Sequence, residues 1–174
     1  AMPLIQFPSA FLISLSISLV PAISEALAIK NYKKINFTVS KTMMFTTIIG
    51  IGTAGVFVKF SDVLGLLIYK QDLQYMLFYL GIISPLLYMQ MTLSGILNGL
   101  GEQLFIFKNS LLSSAISISF VYFVVPNMGI SGFILGWFIS LIFLCILNII
   151  RIYKLAKIEI QLINWFFKPT VCIL

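Results

Sequence analysis

The chain has 174 residues, of which 60% are hydrophobic and 9% are charged, a balance far outside the range of soluble domains. The composition therefore indicates an integral membrane protein. Its net charge of +6 comes from basic residues in short gaps between apolar segments, so cytoplasmic loops facing anionic lipid are expected, and nucleic-acid binding is not.

Five apolar segments are long enough, or nearly so, to cross a hydrocarbon core of roughly 30 Å as helices. A sixth begins near residue 165 and stops at Leu174, which is too short to cross a bilayer unless the chain continues. We therefore expect an all-α fold, a polytopic transmembrane helical bundle, in a piece of a longer protein. The five predicted spans cover residues 4–23, 42–60, 73–97, 109–125 and 129–150.

The first predicted span carries no charge, and small residues recur at every fourth position along one of its faces. Such a stripe predicts that another helix approaches closely on that face. Pro21 cannot donate to the helical hydrogen-bond ladder, which predicts a kink or a polar contact near the end of the span. The small residues are Ala10, Ser14, Ser18, Ala22 and Ala26.

The third predicted span contains a proline, two amides and a pair of glycines. Pro85 lies in its interior, where it removes one hydrogen bond and predicts a bend or hinge. Gln90 and Asn98 are candidate substrate contacts, the alternative being ordinary interhelical hydrogen bonds. Gly95 and Gly99 form a GxxxG pair, which predicts a close helix contact.

A stripe of four serines follows one face of the fourth predicted span, at the spacing i, i+3, i+4 and i+7. Lipid offers hydroxyl groups no partner, so the stripe is expected to face the bundle interior or a wet cavity, unless the serines bond their own backbone. Gly132 and Gly136 in the fifth span form a second GxxxG pair and predict another helix contact. The serines are Ser110, Ser113, Ser114 and Ser117.

The gaps between the spans differ in charge. The first, third and fifth gaps hold eight basic residues, and the second and fourth hold two. The positive-inside rule therefore predicts cytoplasmic loops around residues 24–41, 98–108 and 151–164. The apolar run 63–69 in the second gap is too short to span, and an interfacial helix on the outer surface is expected there.

Catalytic and cofactor chemistry find little support in the sequence. There is no His, and the five carboxylates are scattered at loop positions, so neither a general acid–base pair nor a catalytic residue can be nominated. Cys145 and Cys172 are isolated in apolar runs, without metal-ligand or disulfide spacing. No P-loop or dinucleotide motif is present. We therefore expect no enzyme, no metal and no cofactor.

Three phrases, in this order along the chain, resemble the polysaccharide-exporter branch of the multidrug/oligosaccharidyl-lipid/polysaccharide (MOP, MATE-like) flippase superfamily. They are most similar to oligosaccharide flippases of the stage V sporulation protein B type. The resemblance implies two six-helix lobes around a central cavity, with residues 1–164 as part of the second lobe and 165–174 as the start of a further helix. The phrases are LVPAISEA at 19–26, GILNGLGEQ at 95–103 and VPNMGISG at 125–132.

The resemblance implies a flippase or exporter that moves a lipid-linked oligosaccharide or peptidoglycan precursor across the cytoplasmic membrane. Its partners would be that lipid-linked sugar, membrane lipid and the remaining lobe of the full-length protein. Pro21, Pro85 and the glycine pairs would serve as hinges and close-packed faces.

Glu25 matches the acidic position in the family's SEA phrase, which implies that it latches the cytoplasmic gate or meets a coupling cation. The alternative is a simple ion pair with Lys30 or another nearby lysine. Three other functions stay open: a cation-coupled multidrug exporter of the same superfamily, a small membrane subunit, and a glycan-processing membrane enzyme.

Overall fold

The computed structural model of the protein describes residues 2–64 and 74–156, and the regular structure in these residues is helical. Five of the helices are long and apolar enough to cross a membrane, which confirms the predicted all-α membrane bundle. They are α1 (Met2–Ala28), α2 (Tyr32–Lys59), α3 (Gln74–Gly99), α4 (Gln103–Phe123) and α6 (Ile130–Ala156), with the single-turn helix α5 (Val125–Met128) between α4 and α6.

The helices extend beyond the predicted spans. α1 and α2 continue into the expected loop 24–41, and only residues 29–31 separate them. The expected loops 98–108 and 151–164 shorten in the same way, because α4 begins at Gln103 and α6 continues through Ala156. The sequence-based bounds were wrong at these ends because they stopped each helix at its first charged residues. Lysine and glutamate are good helix formers, and a helix continues into the interface, where their charges meet water.

Two tight turns reverse the chain between the first helices of the bundle. Lys30 and Gly101 take left-handed backbone conformations, with φ of 53° and 81° respectively. The Asn31 side chain accepts a hydrogen bond from the Lys34 backbone N–H at 3.0 Å and so caps the start of α2. The turn at Lys30 joins α1 to α2, and the turn at Gly101 joins α3 to α4.

α3 is the central helix and packs against α1, α2 and α6. A Cβ atom added at Gly95 would lie 2.7 Å from Ser16 Cβ, and one at Gly99 would lie 2.9 Å from Ile23 Cβ. Real side chains do not approach so closely, so only glycine permits the present contact. The helix contact predicted from the GxxxG pair is therefore confirmed, and its partner is α1.

The second glycine pair is also a helix contact. A Cβ atom at Gly136 in α6 would lie 2.6 Å from Phe120 Cβ in α4, and one at Gly132 would lie 3.1 Å from Val124 Cγ1. The pair thus joins α6 to α4 and to the residue that follows it. In the described part of the chain, α4 packs mainly against α6.

The small-residue stripe of α1 does not make its closest helix contact. Ala10, Ser14 and Ser18 are exposed, and the two hydroxyl groups donate to carbonyls one turn back in their own helix. α1 instead buries larger side chains, including Leu12 and Ile23. At the other end of the stripe, Ala22 is half-buried and Ala26 is buried in the core. The predicted face is therefore wrong for Ala10, Ser14 and Ser18, because the glycines of α3 already supply the small side of the contact.

The predicted interfacial helix at 63–69 lies largely outside the described residues. The predicted start of a further span at 165–174 lies wholly outside them.

Candidate functional site

An open groove of about 330 Å³ lies between α1 and α3. The polar residues of its α3 wall are spaced four apart, so they share one face of the helix. The α1 wall is mainly apolar, so the groove combines an apolar side with a side of amides and hydroxyls. Gln90 and Asn98, both predicted as substrate contacts, lie in this groove. The polar α3 residues are Gln90, Ser94 and Asn98, and the apolar α1 residues are Ile13, Ile17 and Val20.

Gln90 is also one end of a chain of hydrogen bonds that crosses three helices. Asn109 Nδ2 in α4 donates to Asn148 Oδ1 in α6 at 3.2 Å. Asn148 Nδ2 donates to Gln90 Oε1 in α3 at 3.1 Å. Gln90 Nε2 then reaches Ser94 Oγ at 3.5 Å, inside the groove. We call these four residues the amide relay.

The amide relay satisfies polar groups that would be costly to leave bare in hydrocarbon. Asn109 and Asn148 are buried, Asn148 almost completely. Gln90 therefore makes the interhelical hydrogen bonds that were expected as the alternative to substrate contact, and it also lines the groove. The two roles involve different ends of its amide.

Sequence reasoning missed Asn109 and Asn148. A signal was present, because Asn148 is an isolated amide in the apolar run IFLCILNII. An amide in a membrane helix needs a partner, so it predicts a second polar side chain on a neighbouring helix. The sequence does not say which one, since Asn109, Asn148 and Gln90 come from three different spans.

Two ion pairs lie near helix ends, and they differ in kind. Arg151 holds Glu102 with both its Nε and Nη2 atoms at 2.9–3.1 Å, and its guanidinium lies 5.1 Å from the centre of the Phe105 ring. Lys34 reaches Glu25 through one contact of 3.4 Å, and the Glu25 side chain is 70% exposed. Bidentate, partly buried pairs are the stronger kind.

Glu25 thus forms the pair with a nearby lysine that was expected as the alternative to a gate. A role in gating or cation coupling stays a prediction. The pair between Arg151 and Glu102 was not predicted as a contact, although the charge pattern placed both residues in cytoplasmic gaps. It fastens the start of α4 to the end of α6.

The two prolines have different surroundings. Pro85 has no N–H to donate to the Gly81 carbonyl, and the Ser84 hydroxyl donates to that carbonyl instead, at 2.8 Å. A Cβ atom at Gly50 would lie 3.0 Å from Pro85 Cα, so α2 runs close against α3 at this point. The hinge role of Pro85 stays a prediction.

Pro21 is exposed on α1. One turn later, Ser24 Oγ donates to the Gly99 carbonyl of α3 at 2.9 Å. The prediction from Pro21 concerned the carbonyl four residues earlier, at Ile17, and stays a prediction. The Ser24 bond is a separate polar contact near the end of the span. It ties α1 to α3 beside the Gly99 contact.

The serine stripe of α4 splits between two environments. Ser113 is buried, and Ser117 Oγ lies 3.1 Å from Ser140 Oγ in α6. Ser110 and Ser114 are exposed. α6 thus covers only one side of α4, and for Ser110 and Ser114 the expected position toward the bundle interior or a wet cavity stays a prediction.

A model of the MatE family matches residues 1–123 of the chain. The match contains α1 to α4, and so both walls of the groove. Asn148 and Arg151, which reach back to Gln90 and Glu102 from α6, lie beyond it. No curated protein and no solved structure matches the chain.

Proposed function

The chain belongs to the MatE family of the MOP superfamily, and we propose that it serves a flippase that moves a lipid-linked oligosaccharide or peptidoglycan precursor. The family itself supports a multi-pass membrane transporter or flippase and not an enzyme. The observation that carries the finer proposal is the groove between α1 and α3, with its apolar wall and its uncharged polar wall.

A sugar headgroup is costly to bring into hydrocarbon because its hydroxyls lose their hydrogen bonds to water. Amides and hydroxyls along the groove can replace part of that hydration. The apolar wall beside them suits the hydrocarbon tail that stays with the lipid. A groove with these two sides fits an amphiphile with a neutral headgroup better than a wholly apolar or wholly polar molecule.

The cation-coupled multidrug exporter, the second candidate, would favour a carboxylate deep within the membrane, where a cation can exchange with the protein. In the part of the chain that the structure describes, the acidic side chains Glu25, Asp62 and Glu102 lie at or beside helix ends. The amide relay holds the corresponding interior position with neutral groups. The second candidate would therefore need an ionisable cluster in the remaining lobe of the full-length protein.

The groove is open along one side, and we propose that the remaining lobe of the full-length protein faces it across a shared cavity. In the predicted orientation, α3 carries the groove from mid-membrane at Gln90 toward the cytoplasmic membrane surface at Asn98. Glu25 would then act near the cytoplasmic gate, and Pro85 would allow α3 to bend. The protein would reside in the cytoplasmic membrane, with lipid-linked sugar and membrane lipid as its partners.

The test is a flipping assay with the complete gene product in liposomes, using a fluorescent lipid-linked oligosaccharide. Asn98→Leu is expected to lower the flipping rate about tenfold, the effect of losing one or two net hydrogen bonds to the headgroup. The matched control is Met91→Leu, which changes an apolar residue of the same groove and should leave the rate within about twofold, since volume-conserving apolar changes cost little.

A rate for the unaltered protein no higher than that of empty liposomes would remove the flippase proposal. Equal rates for Asn98→Leu and the unaltered protein would remove the groove from the substrate path. Export of organic cations driven by a sodium or proton gradient, without sugar-lipid flipping, would establish the second candidate.

A further inference from the structure

The Gln90 amide is engaged on its oxygen side before any ligand arrives. Its Oε1 atom accepts a hydrogen bond from Asn148 Nδ2 at 3.1 Å. The Cys145 Sγ atom lies 3.7 Å from this Oε1 atom and 3.8 Å from the Leu86 carbonyl oxygen, so the two oxygens share the thiol proton. An amide oxygen has two lone pairs. Both lone pairs of Gln90 Oε1 are therefore directed into the bundle, and the Gln90 amide presents only its N–H groups toward the groove.

The neighbouring Ser94 hydroxyl also presents a hydrogen-bond donor toward the groove. Ser94 Oγ accepts from Gln90 Nε2, so its own proton stays available to donate. On the opposite wall, the Ser16 Oγ atom is buried beside Gly95 and out of reach of a ligand. Gln90 and Ser94 line the groove, which therefore offers its donors from the α3 wall.

Charge narrows the choice of ligand further. Among the described residues, none that lines the groove is charged. A phosphate placed there would have no countercharge, and an ammonium group would lose its hydration and find few acceptors. The chemical group that fits is a neutral oxygen acceptor, such as the carbonyl of an N-acetylated sugar.

We propose that Asn148, which does not line the groove, is a positioning residue that fixes the Gln90 amide with its N–H groups toward the groove. The groove thereby selects an N-acetylated sugar headgroup over the corresponding amino sugar. This inference rests on the proposed function, because it takes the sugar headgroup as the ligand. It adds the part of the headgroup that is recognised and the residue that sets the preference.

The test measures binding to the complete gene product in nanodiscs. The two probes are N-acetylglucosamine and glucosamine, each carried on the same polyprenyl phosphate, so they differ only in having a neutral acetamido group or an ammonium group at one sugar position. The unaltered protein is expected to bind the acetylated probe about tenfold more tightly, the size of one or two net hydrogen bonds. Asn148→Leu should reduce this preference about fivefold, because the freed Gln90 amide can turn its oxygen toward the groove.

The loss should fall on the acetylated probe and spare the amino sugar. Gln90→Met, which removes the N–H groups themselves, should give the same pattern. It also carries the test if Asn148→Leu does not fold. Ser140→Ala is the matched control: it removes a buried hydroxyl from the same helix, outside the amide relay, and should keep the full preference.

An equal loss of both probes in Asn148→Leu would show a merely structural role and overturn the proposal. An unchanged preference in that variant, or no preference in the unaltered protein, would overturn it as well. The flipping assay decides the proposed function separately. A protein that flips the lipid without this preference loses only the positioning role, and one that has the preference without flipping keeps the site but loses the transport function.

Discussion

α3 and α4 have the same mean hydropathy but different positions in the bundle. Half of the most apolar stretch of α3 is buried, against 6% of the corresponding stretch of α4. α3 is enclosed by three helices, whereas α4 packs mainly against α6. Hydropathy measures how well a segment tolerates lipid, and lipid and protein interior are similarly apolar. It therefore predicts that both helices span the membrane and says nothing about which one is central.

The difference between the two helices comes from small and polar residues. α3 carries Gly95 and Gly99, which let α1 approach, together with Gln90, which bonds to α6. α4 has no glycine, and it meets α6 through the glycines of its partner and through a hydrogen bond from Asn109. In a membrane bundle, packing at close distance and interhelical hydrogen bonds replace the hydrophobic effect as the source of helix association.

The largest expected effect comes from adding a methyl group at a glycine contact. The two contacts to compare are that of α3 with α1, at Gly95, and that of α6 with α4, at Gly136. Gly95→Ala places Cβ 2.7 Å from Ser16 Cβ and 3.2 Å from its Cα, so backbone must move against backbone. Gly136→Ala places Cβ 2.6 Å from Phe120 Cβ, a similar overlap. We expect Gly95→Ala to cost about 3 kcal/mol and Gly136→Ala about 1 kcal/mol, because α4 can shift outward and α1 is also tied to α3 by other contacts.

Thermal unfolding of the complete gene product in one detergent, or in nanodiscs, would measure both losses. Gly55→Ala in α2 is the matched control, since nothing lies within 4 Å of its added methyl group. That variant should be neutral or slightly stabilising, because alanine favours the helix. If Gly136→Ala proves at least as destabilising as Gly95→Ala, the difference in burial between α3 and α4 does not describe how firmly they are held.

Local patterns in the sequence predicted the helices and the two glycine contacts, because hydropathy and GxxxG spacing are properties of one segment. These patterns did not predict which face of each helix is buried. The small stripe of α1 is partly exposed, and Ser110 and Ser114 turn away from α6. Which face is covered depends on the partner helix, and in lipid the uncovered face is not marked by charge. Asn109 and Asn148 were missed for the same reason, since the members of the amide relay become neighbours only after three spans have packed.

An intermediate effect is expected at the start of α4, where Glu102 meets Arg151. If weak burial leaves α4 dependent on local contacts, Arg151→Gln should lower the free energy of unfolding by about 1–2 kcal/mol, a value already reduced for the pair's partial exposure. The same change at Lys34, whose pair with Glu25 is single and exposed, should cost less than about 0.5 kcal/mol.

Unfolding at low and high salt separates the two ion pairs further. The contribution of Lys34 should fade as salt rises, and most of the contribution of Arg151 should persist, because exposed pairs are screened more than partly buried ones. Equal losses in the two variants would mean that the bidentate geometry and the Phe105 contact add nothing to the hold on α4.

The smallest expected effect lies within the serine stripe, and it compares the side of α4 that faces α6 with the side that is exposed. Ser117→Ala removes the hydroxyl that lies 3.1 Å from Ser140 Oγ and should cost about 0.6 kcal/mol, the mean for an interhelical hydrogen bond in a membrane protein. Ser114→Ala, three residues earlier on the exposed side, should change stability by less than about 0.3 kcal/mol, as exposed substitutions usually do. A larger loss at Ser114 than at Ser117 would mean that the exposed half of the stripe is covered in the assembled protein. The comparison of α3 with α4 would then have to be redrawn, because α4 would be enclosed on both sides.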